Sequence, residues 1–185
     1  MKKQIILLSL ILLSVPTFAQ AIGFRDDNSE YLAIGTDYMI TRAFSSYDTG
    51  VALAIYTDKH AGVKTYYLGL YFETYGKTFC QKHSRAVIKT FSGSIITISE
   101  ILDTYKVINF REQVGDYQST TYSLKPQYSI SEEDIKILMA EGVQLLRIET
   151  LQGLKDFTYK SDVLGGYLTK EYNLILGKQD FGSDF

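Results

Sequence analysis

The chain has 185 residues, of which 45% are hydrophobic and 22% are charged, and its formal net charge at pH 7 is −2. This length and composition suit one domain that buries a sizeable core without disulfides or metals. The basic residues are scattered, which excludes the broad positive field by which proteins attract nucleic acid or an anionic membrane.

The first segment has the pattern of a secretory signal peptide. Two lysines precede an apolar run from Ile5 to Val15, and small residues that suit a signal peptidase follow. The run is shorter than the ~20 apolar residues that span a bilayer, so no stable membrane span is expected after cleavage. We therefore expect residues 1–19 to be a signal peptide and the protein to be periplasmic or extracellular.

Export constrains the remaining chain. Removing 19 of the 185 residues, two of them lysines, leaves 166 residues and lowers the net charge from −2 to −4. Cys80 is the only cysteine, so an internal disulfide is impossible, and no cysteine lies near Ala19 for lipid attachment. We expect Cys80 to be a small, partly buried residue, with an intermolecular disulfide or a reactive thiol as the alternative.

The predicted elements begin after residues 20–30, which lack periodicity and are expected to be a flexible N-terminus. From Tyr31 onward apolar residues alternate with polar or small ones, and loops are short, which predicts about seven or eight antiparallel strands. The Ser92–Gly93 pair lies between two β-rich runs and predicts a hairpin turn. The segments with this pattern are 51–56, 66–73, 86–99, 104–110 and 117–124.

A helix is predicted after Ser131, which is a strong N-cap, while Asp134 completes a capping box and Gly142 ends the helix. A strand should follow over Val143–Thr150, with Arg147 and Glu149 sharing its polar face. A second helix is predicted over 162–176, capped by Ser161, and residues 178–185 should be a flexible tail. The expected fold is one α+β domain, residues 31–177, in which an antiparallel sheet or sandwich is covered by one or two C-terminal helices.

Two stretches, IKTFSGSIITISE and YSISEEDIKILMAEGVQLLRIET, resemble a pattern found in uncharacterised secreted proteins of Gram-negative bacteria. Ser92 and Ser129 depart from the aspartate and proline usual at those positions. The resemblance covers residues 86–150 and implies export and a β-rich architecture, without an activity to transfer. The residues that match the pattern are Lys89, Gly93, Ile130, Ile135, Gly142, Val143 and Arg147.

Motifs for catalysis or metal binding are weak in this sequence. There are two histidines, and His83 follows Cys80 by three residues, which permits a Cys–His pair but is not a zinc site by itself. Asp26, Asp27 and Asn28 resemble the start of a calcium loop, but no glycine or distal glutamate follows at the required spacing. We predict neither a cofactor nor a metal site.

Aromatic density is the unusual feature, with 15 tyrosines and 10 phenylalanines. On one strand Tyr67, Tyr71 and Tyr75 should share the face opposite the core, where such a ladder can stack on a sugar or line a peptide groove. The alternative is ordinary cross-strand packing. The sequence therefore favours a non-catalytic binding or accessory module for a glycan, a peptide or an envelope protein. The alternative function is a small secreted hydrolase that uses His83 with Cys80 or a distant carboxylate.

Overall fold

The computed structural model describes residues 22–43, 47–75, 79–101, 108–114 and 117–179. The predicted signal peptide and the tail after residue 179 lie outside these residues. Within them the chain forms twelve strands and two helices. The strands are β1 Ile22–Asp27, β2 Tyr31–Thr36, β3 Met39–Arg42, β4 Asp48–Asp58, β5 Lys64–Tyr75, β6 Arg85–Thr90, β7 Ile95–Glu100, β8 Ile108–Val114, β9 Tyr117–Leu124, β10 Gln127–Ile130, β11 Val143–Thr150 and β12 Gly153–Thr158; the helices are α1 Glu132–Glu141 and α2 Leu164–Gln179.

All twelve strands belong to one sheet, in which every pairing is antiparallel. Nine of them follow the order β1-β2-β4-β5-β10-β7-β6-β11-β12, while β3 pairs with β4, β9 with β5, and β8 with β9. The two longest strands, β4 and β5, lie side by side, and each has two shorter strands along its outer edge. β2 and β3 share the edge of β4, and β10 and β9 share the edge of β5. The edge of β4 is therefore interrupted where β2 ends and β3 begins.

The core lies between one face of this sheet and the two helices. On β4 the inward side chains are Val51, Leu53 and Ile55, which pair with Leu70, Leu68 and Tyr66 of β5, and all six are buried. The α2 helix lies against β2, β4 and α1. The ring of Tyr66 stacks on that of Tyr172 of α2, with centroids 6.4 Å apart. We call the opposite face of the sheet, turned away from the helices, the open face.

The predicted first helix is confirmed in detail. The Ser131 hydroxyl accepts from the Asp134 backbone N–H at 3.0 Å, which satisfies one of the unpaired amides at the helix start. Gly142 ends α1 with φ of 70°, and a Cβ there would lie 2.5 Å from Cγ of Asp162, so both conformation and space require glycine. The Lys136 and Tyr172 side chains bond to Glu132 and lower its pKa to about 2.

The second predicted helix is present, but its cap differs. The carboxylate of Asp162, rather than Ser161, accepts the backbone N–H of Gly165 at 2.8 Å. The same oxygen accepts the N–H of Val143 at 3.1 Å, so one side chain joins the start of α2 to β11. None of the helices in the described ranges is long and apolar enough to cross a bilayer.

The α+β class with a mainly antiparallel sheet and two helices is confirmed, whereas the predicted number of seven or eight strands is too low. The additional strands are short or lie at an edge, where both faces are partly exposed and period-two alternation is weak. Ile22–Asp27, within the segment predicted to be flexible, pairs with β2 as β1. The predicted neighbours Arg147 and Glu149 find partners on adjacent strands instead, Asp156 and Arg85 respectively.

Candidate functional site

The open face of β4 and β5 has a floor of small side chains. Since Val51, Leu53 and Ile55 point into the core, the alternate residues Ala52 and Ala54 point to the open face. Ala52 lies opposite Gly69 of β5, and Ala54 lies opposite Tyr67. Small residues at neighbouring outward positions leave a depression in the middle of the sheet.

Two aromatic rings lie over glycines at this depression. A Cβ added to Gly35 would lie 2.1 Å from Cε1 of Phe24, and one added to Gly69 would lie 2.7 Å from the hydroxyl oxygen of Tyr38. Both glycines are in extended strands, so the absent side chain matters here because it lets the rings approach the backbone. Phe24 nevertheless keeps 51% of its surface exposed.

The depression is a pocket of about 390 Å³. This volume lies in the range of small-molecule sites, which are lined mainly by apolar and aromatic groups with a few polar ones. The walls come from segments distant in sequence that the strand order brings together. The lining residues are Gly23, Phe24, Thr36, Asp37, Tyr38, Ala52, Leu53, Ala54, Tyr67, Gly69, Ile101, Lys125 and Gln127.

The pocket wall includes the gap between β2 and β3, and the Thr36 side chain closes this gap. The Thr36 hydroxyl accepts the N–H of Leu53 at 3.0 Å and donates to the carbonyl of Leu53 at 3.3 Å. These bonds replace the strand pairing that β4 lacks at this point. The backbone of β4 is thus satisfied even where its neighbouring strand is broken.

Charge is placed at the mouth of the pocket. The Nζ atom of Lys125 lies 5.0 Å from the centroid of the Tyr38 ring, within cation–π range. Burial and, to a smaller extent, the charge of Glu171 raise the pKa of Tyr38 to about 12, so its hydroxyl is neutral at physiological pH.

Glu171 of α2 is itself fully buried, and neither carboxyl oxygen has a hydrogen-bond partner among the described residues. Burial raises its pKa to about 9, which the nearby Thr36 hydroxyl opposes only in part.

The three tyrosines of the predicted ladder have different environments. Tyr67 lines the pocket, and its hydroxyl and ring make no hydrogen bond or ring contact within the described part of the chain. Tyr71 is buried, its ring centroid lies 6.3 Å from that of Tyr38, and its hydroxyl donates to Glu73 at 2.9 Å. The backbone of Tyr75 ends β5, but its side chain lies outside the described residues. Tyr67 is thus the tyrosine of this set that is placed to meet a ligand.

Cys80 and His83 lie outside the pocket lining. Cys80 is completely buried, and burial together with the charge of Glu100 raises the pKa of its thiol to about 12. A neutral, inaccessible thiol is a poor nucleophile. His83 is exposed in a turn with φ of 70°. These are the properties of a structural cysteine and a surface histidine.

The side chains of the acidic N-terminal segment are likewise engaged in local hydrogen bonds and ion pairs. Asp27 pairs with Lys59 and Arg25, and these contacts lower its pKa. The Asn28 side chain accepts the backbone N–H groups of Glu30 and Tyr31. Among the described residues no group of three or more His, Cys, Asp or Glu side chains is arranged to hold a metal ion.

Comparison with known proteins gave no assignment, since no family model, curated protein or solved structure matches this chain. Sequence reasoning pointed to Tyr67 but missed Phe24, Tyr38, Lys125 and Gln127, which lie on other segments. The outward alternation of Ala52, Ala54 and Gly69 was the signal in the sequence that could have indicated the depression.

Proposed function

We propose that this chain is an exported, non-catalytic binding module whose ligand occupies the pocket on the open face. The observation that carries the proposal is that Phe24 and Tyr67, two partly exposed aromatic residues, lie on either side of a floor of small residues and contact no other ring among the described residues. The signal-peptide pattern and its resemblance to secreted proteins support a place in the cell envelope or outside the cell.

The chemistry of the buried tyrosine hydroxyl in the lining favours binding over catalysis. General acid–base catalysis needs a positioned group whose pKa lies near the working pH. The Tyr38 hydroxyl has a pKa raised to about 12 and remains protonated. Aromatic rings without intramolecular partners, in contrast, are the groups that dominate the free energy of binding in many interfaces.

A thermal-shift screen of the purified protein tests this function. The panel contains disaccharides, short peptides and aromatic acids, and a ligand at 100 times its Kd stabilises the folded state by ~2.7 kcal/mol. At this size the expected rise in Tm is about 5–10 °C. We expect Tyr67→Ala to weaken binding at least tenfold, as loss of a central aromatic residue does, so that the stabilisation at the same ligand concentration falls to ~1.4 kcal/mol or less and the rise is at least halved.

Tyr56→Ala is the matched control, because Tyr56 is a half-buried tyrosine on the neighbouring strand whose ring stacks on Tyr31 outside the pocket, with centroids 5.0 Å apart. This variant should lose stability but keep the ligand-induced rise. A rise that survives Tyr67→Ala unchanged, or a panel without any effect, would contradict binding in this pocket.

A further inference from the structure

We infer that the ligand of this pocket is a saccharide that carries a carboxylate, held between Phe24 and Tyr67 with its carboxylate on Lys125. The inference rests on the proposed binding function and adds the chemical class of the ligand. Three features of the pocket lead to it: a floor whose backbone is already paired, two aromatic walls, and a cation at the mouth.

The backbone of β4 and β5 at the pocket floor offers a ligand almost nothing. An extended peptide usually binds by adding a strand to a sheet edge, where main-chain N–H and C=O groups are free. Here the pocket lies on the face of the sheet, and Ala52 and Ala54 are in register with Gly69 and Tyr67. At the interrupted edge both main-chain groups of Leu53 are taken by the Thr36 hydroxyl. At the floor of the pocket the ligand must therefore be recognised by side chains.

The side chains form a trough with an aromatic residue at each end. Phe24 pairs with Gly35, Gly35 with Ala54, and Ala54 with Tyr67, so these four residues form one row across β1, β2, β4 and β5. Three strand spacings separate the two aromatic residues, which places their Cα atoms about 14 Å apart, and the Phe24 ring, which lies over Gly35, narrows the trough at one end. A flat ring with apolar C–H faces and polar edges fits such a trough, and aromatic side chains bind sugars through those faces.

Polar groups surround the trough where the edges of such a ring would lie. Asp37 and Gln127 line the same pocket and can accept or donate hydrogen bonds to sugar hydroxyls. The Lys125 ammonium lies over the Tyr38 ring at 5.0 Å and has no carboxylate within salt-bridge distance among the described residues. A cation at the mouth that pairs with no described carboxylate, Asp37 of the same lining included, favours a ligand that brings its own carboxylate.

The test compares two disaccharides, cellobiose and cellobiouronic acid, which differ by one primary alcohol oxidised to a carboxylate. Calorimetric titration of the wild-type protein should show the acid binding about tenfold more tightly, the usual size of a charge-assisted hydrogen bond. In Lys125→Met, which keeps the length of the side chain without its charge, the two sugars should bind equally. Lys89→Met removes an exposed lysine of β6, far from the pocket lining, and should preserve the tenfold difference.

The outcomes separate this inference from the proposed function. Equal affinity of the wild-type protein for both sugars would overturn the role of Lys125. Binding confined to peptides or aromatic acids and lost in Tyr67→Ala would overturn the saccharide class and leave the pocket function standing. Absence of binding for every probe of either kind would overturn both.

Discussion

The two halves of the open face differ in how their side chains are used. Over β6, β7, β11 and β12 two ion pairs join charges on neighbouring strands: Arg147 with Asp156 at 2.6 Å, and Arg85 with Glu149 at 3.6 Å. Over β1, β2, β4 and β5 the pocket on the same face has a floor of small residues and the rings of Phe24 and Tyr67, which contact no other ring among the described residues. One region of the sheet surface thus has charged side chains that bond to each other, and the other has aromatic side chains without such contacts. We expect the ligand to bind in the second region.

The pocket half also has a buried polar group beneath its surface. Among the described residues the Thr36 hydroxyl closes the interruption of the sheet beside the pocket, and near it lies the buried carboxyl of Glu171 without a hydrogen-bond partner. Unpaired buried polar groups reduce stability, and natural proteins retain them most often near functional sites. Three predictions test whether this loss of stability lies in the pocket half.

The largest effect is expected from Glu171→Gln. The pKa of Glu171 is raised from 4.5 to about 9, so between these values the folded protein keeps a proton that the unfolded chain has lost. Stability should therefore fall as pH rises through this window, by roughly 3 kcal/mol at pH 7. Glutamine does not ionise, so the variant should be more stable than wild type at pH 7–8 and equally stable near pH 4.5, as measured by urea unfolding.

Glu133→Gln serves as the control, because Glu133 is exposed on α1. It should change the free energy of unfolding by less than about 1 kcal/mol across the same pH range. Parallel pH profiles for wild type and Glu171→Gln would show that the carboxyl is ionised and compensated, which would remove the stability difference between the halves.

A smaller loss is expected from Thr36→Val. The substitution keeps the shape of the side chain but leaves the N–H and C=O of Leu53 without the Thr36 hydroxyl, which should cost about 1–3 kcal/mol of unfolding free energy. Thr36→Ser keeps the hydroxyl and should lose less than half as much. If both variants lose the same amount, the hydroxyl does not close the interruption and the methyl group is what matters.

The smallest effect is expected in the other half. Arg147 and Asp156 are joined by two hydrogen bonds, but their side chains are 44% and 41% exposed, so solvent screens the pair. A double-mutant cycle with Arg147→Gln and Asp156→Asn should give a coupling free energy below about 1 kcal/mol. A coupling above 2 kcal/mol would mean that this half depends on its ion pairs for stability.

The contrast also explains what could be predicted from the sequence. The α1 helix was predictable because its signals are local: Ser131, Asp134 and Gly142 lie within one segment of the chain. The two faces of β5 followed from alternation. The pocket was not predictable, because Phe24, Tyr38 and Lys125 meet Tyr67 only through the order of strands in the sheet, and pairing between distant strands leaves no local pattern. Phe24 also lies in an edge strand that is exposed on both sides and therefore lacks alternation.

The central claim is that the pocket half of the open face is the ligand site, and amide chemical-shift mapping of the wild-type protein tests it most directly. Phenol and cellobiouronic acid would be titrated in turn as an aromatic and a sugar probe. We predict that the perturbed amides are those of Ala52, Ala54, Tyr67 and Gly69 and their neighbours on β1 and β2. Perturbations confined to β6, β7, β11 and β12, or none with either probe, would contradict the claim.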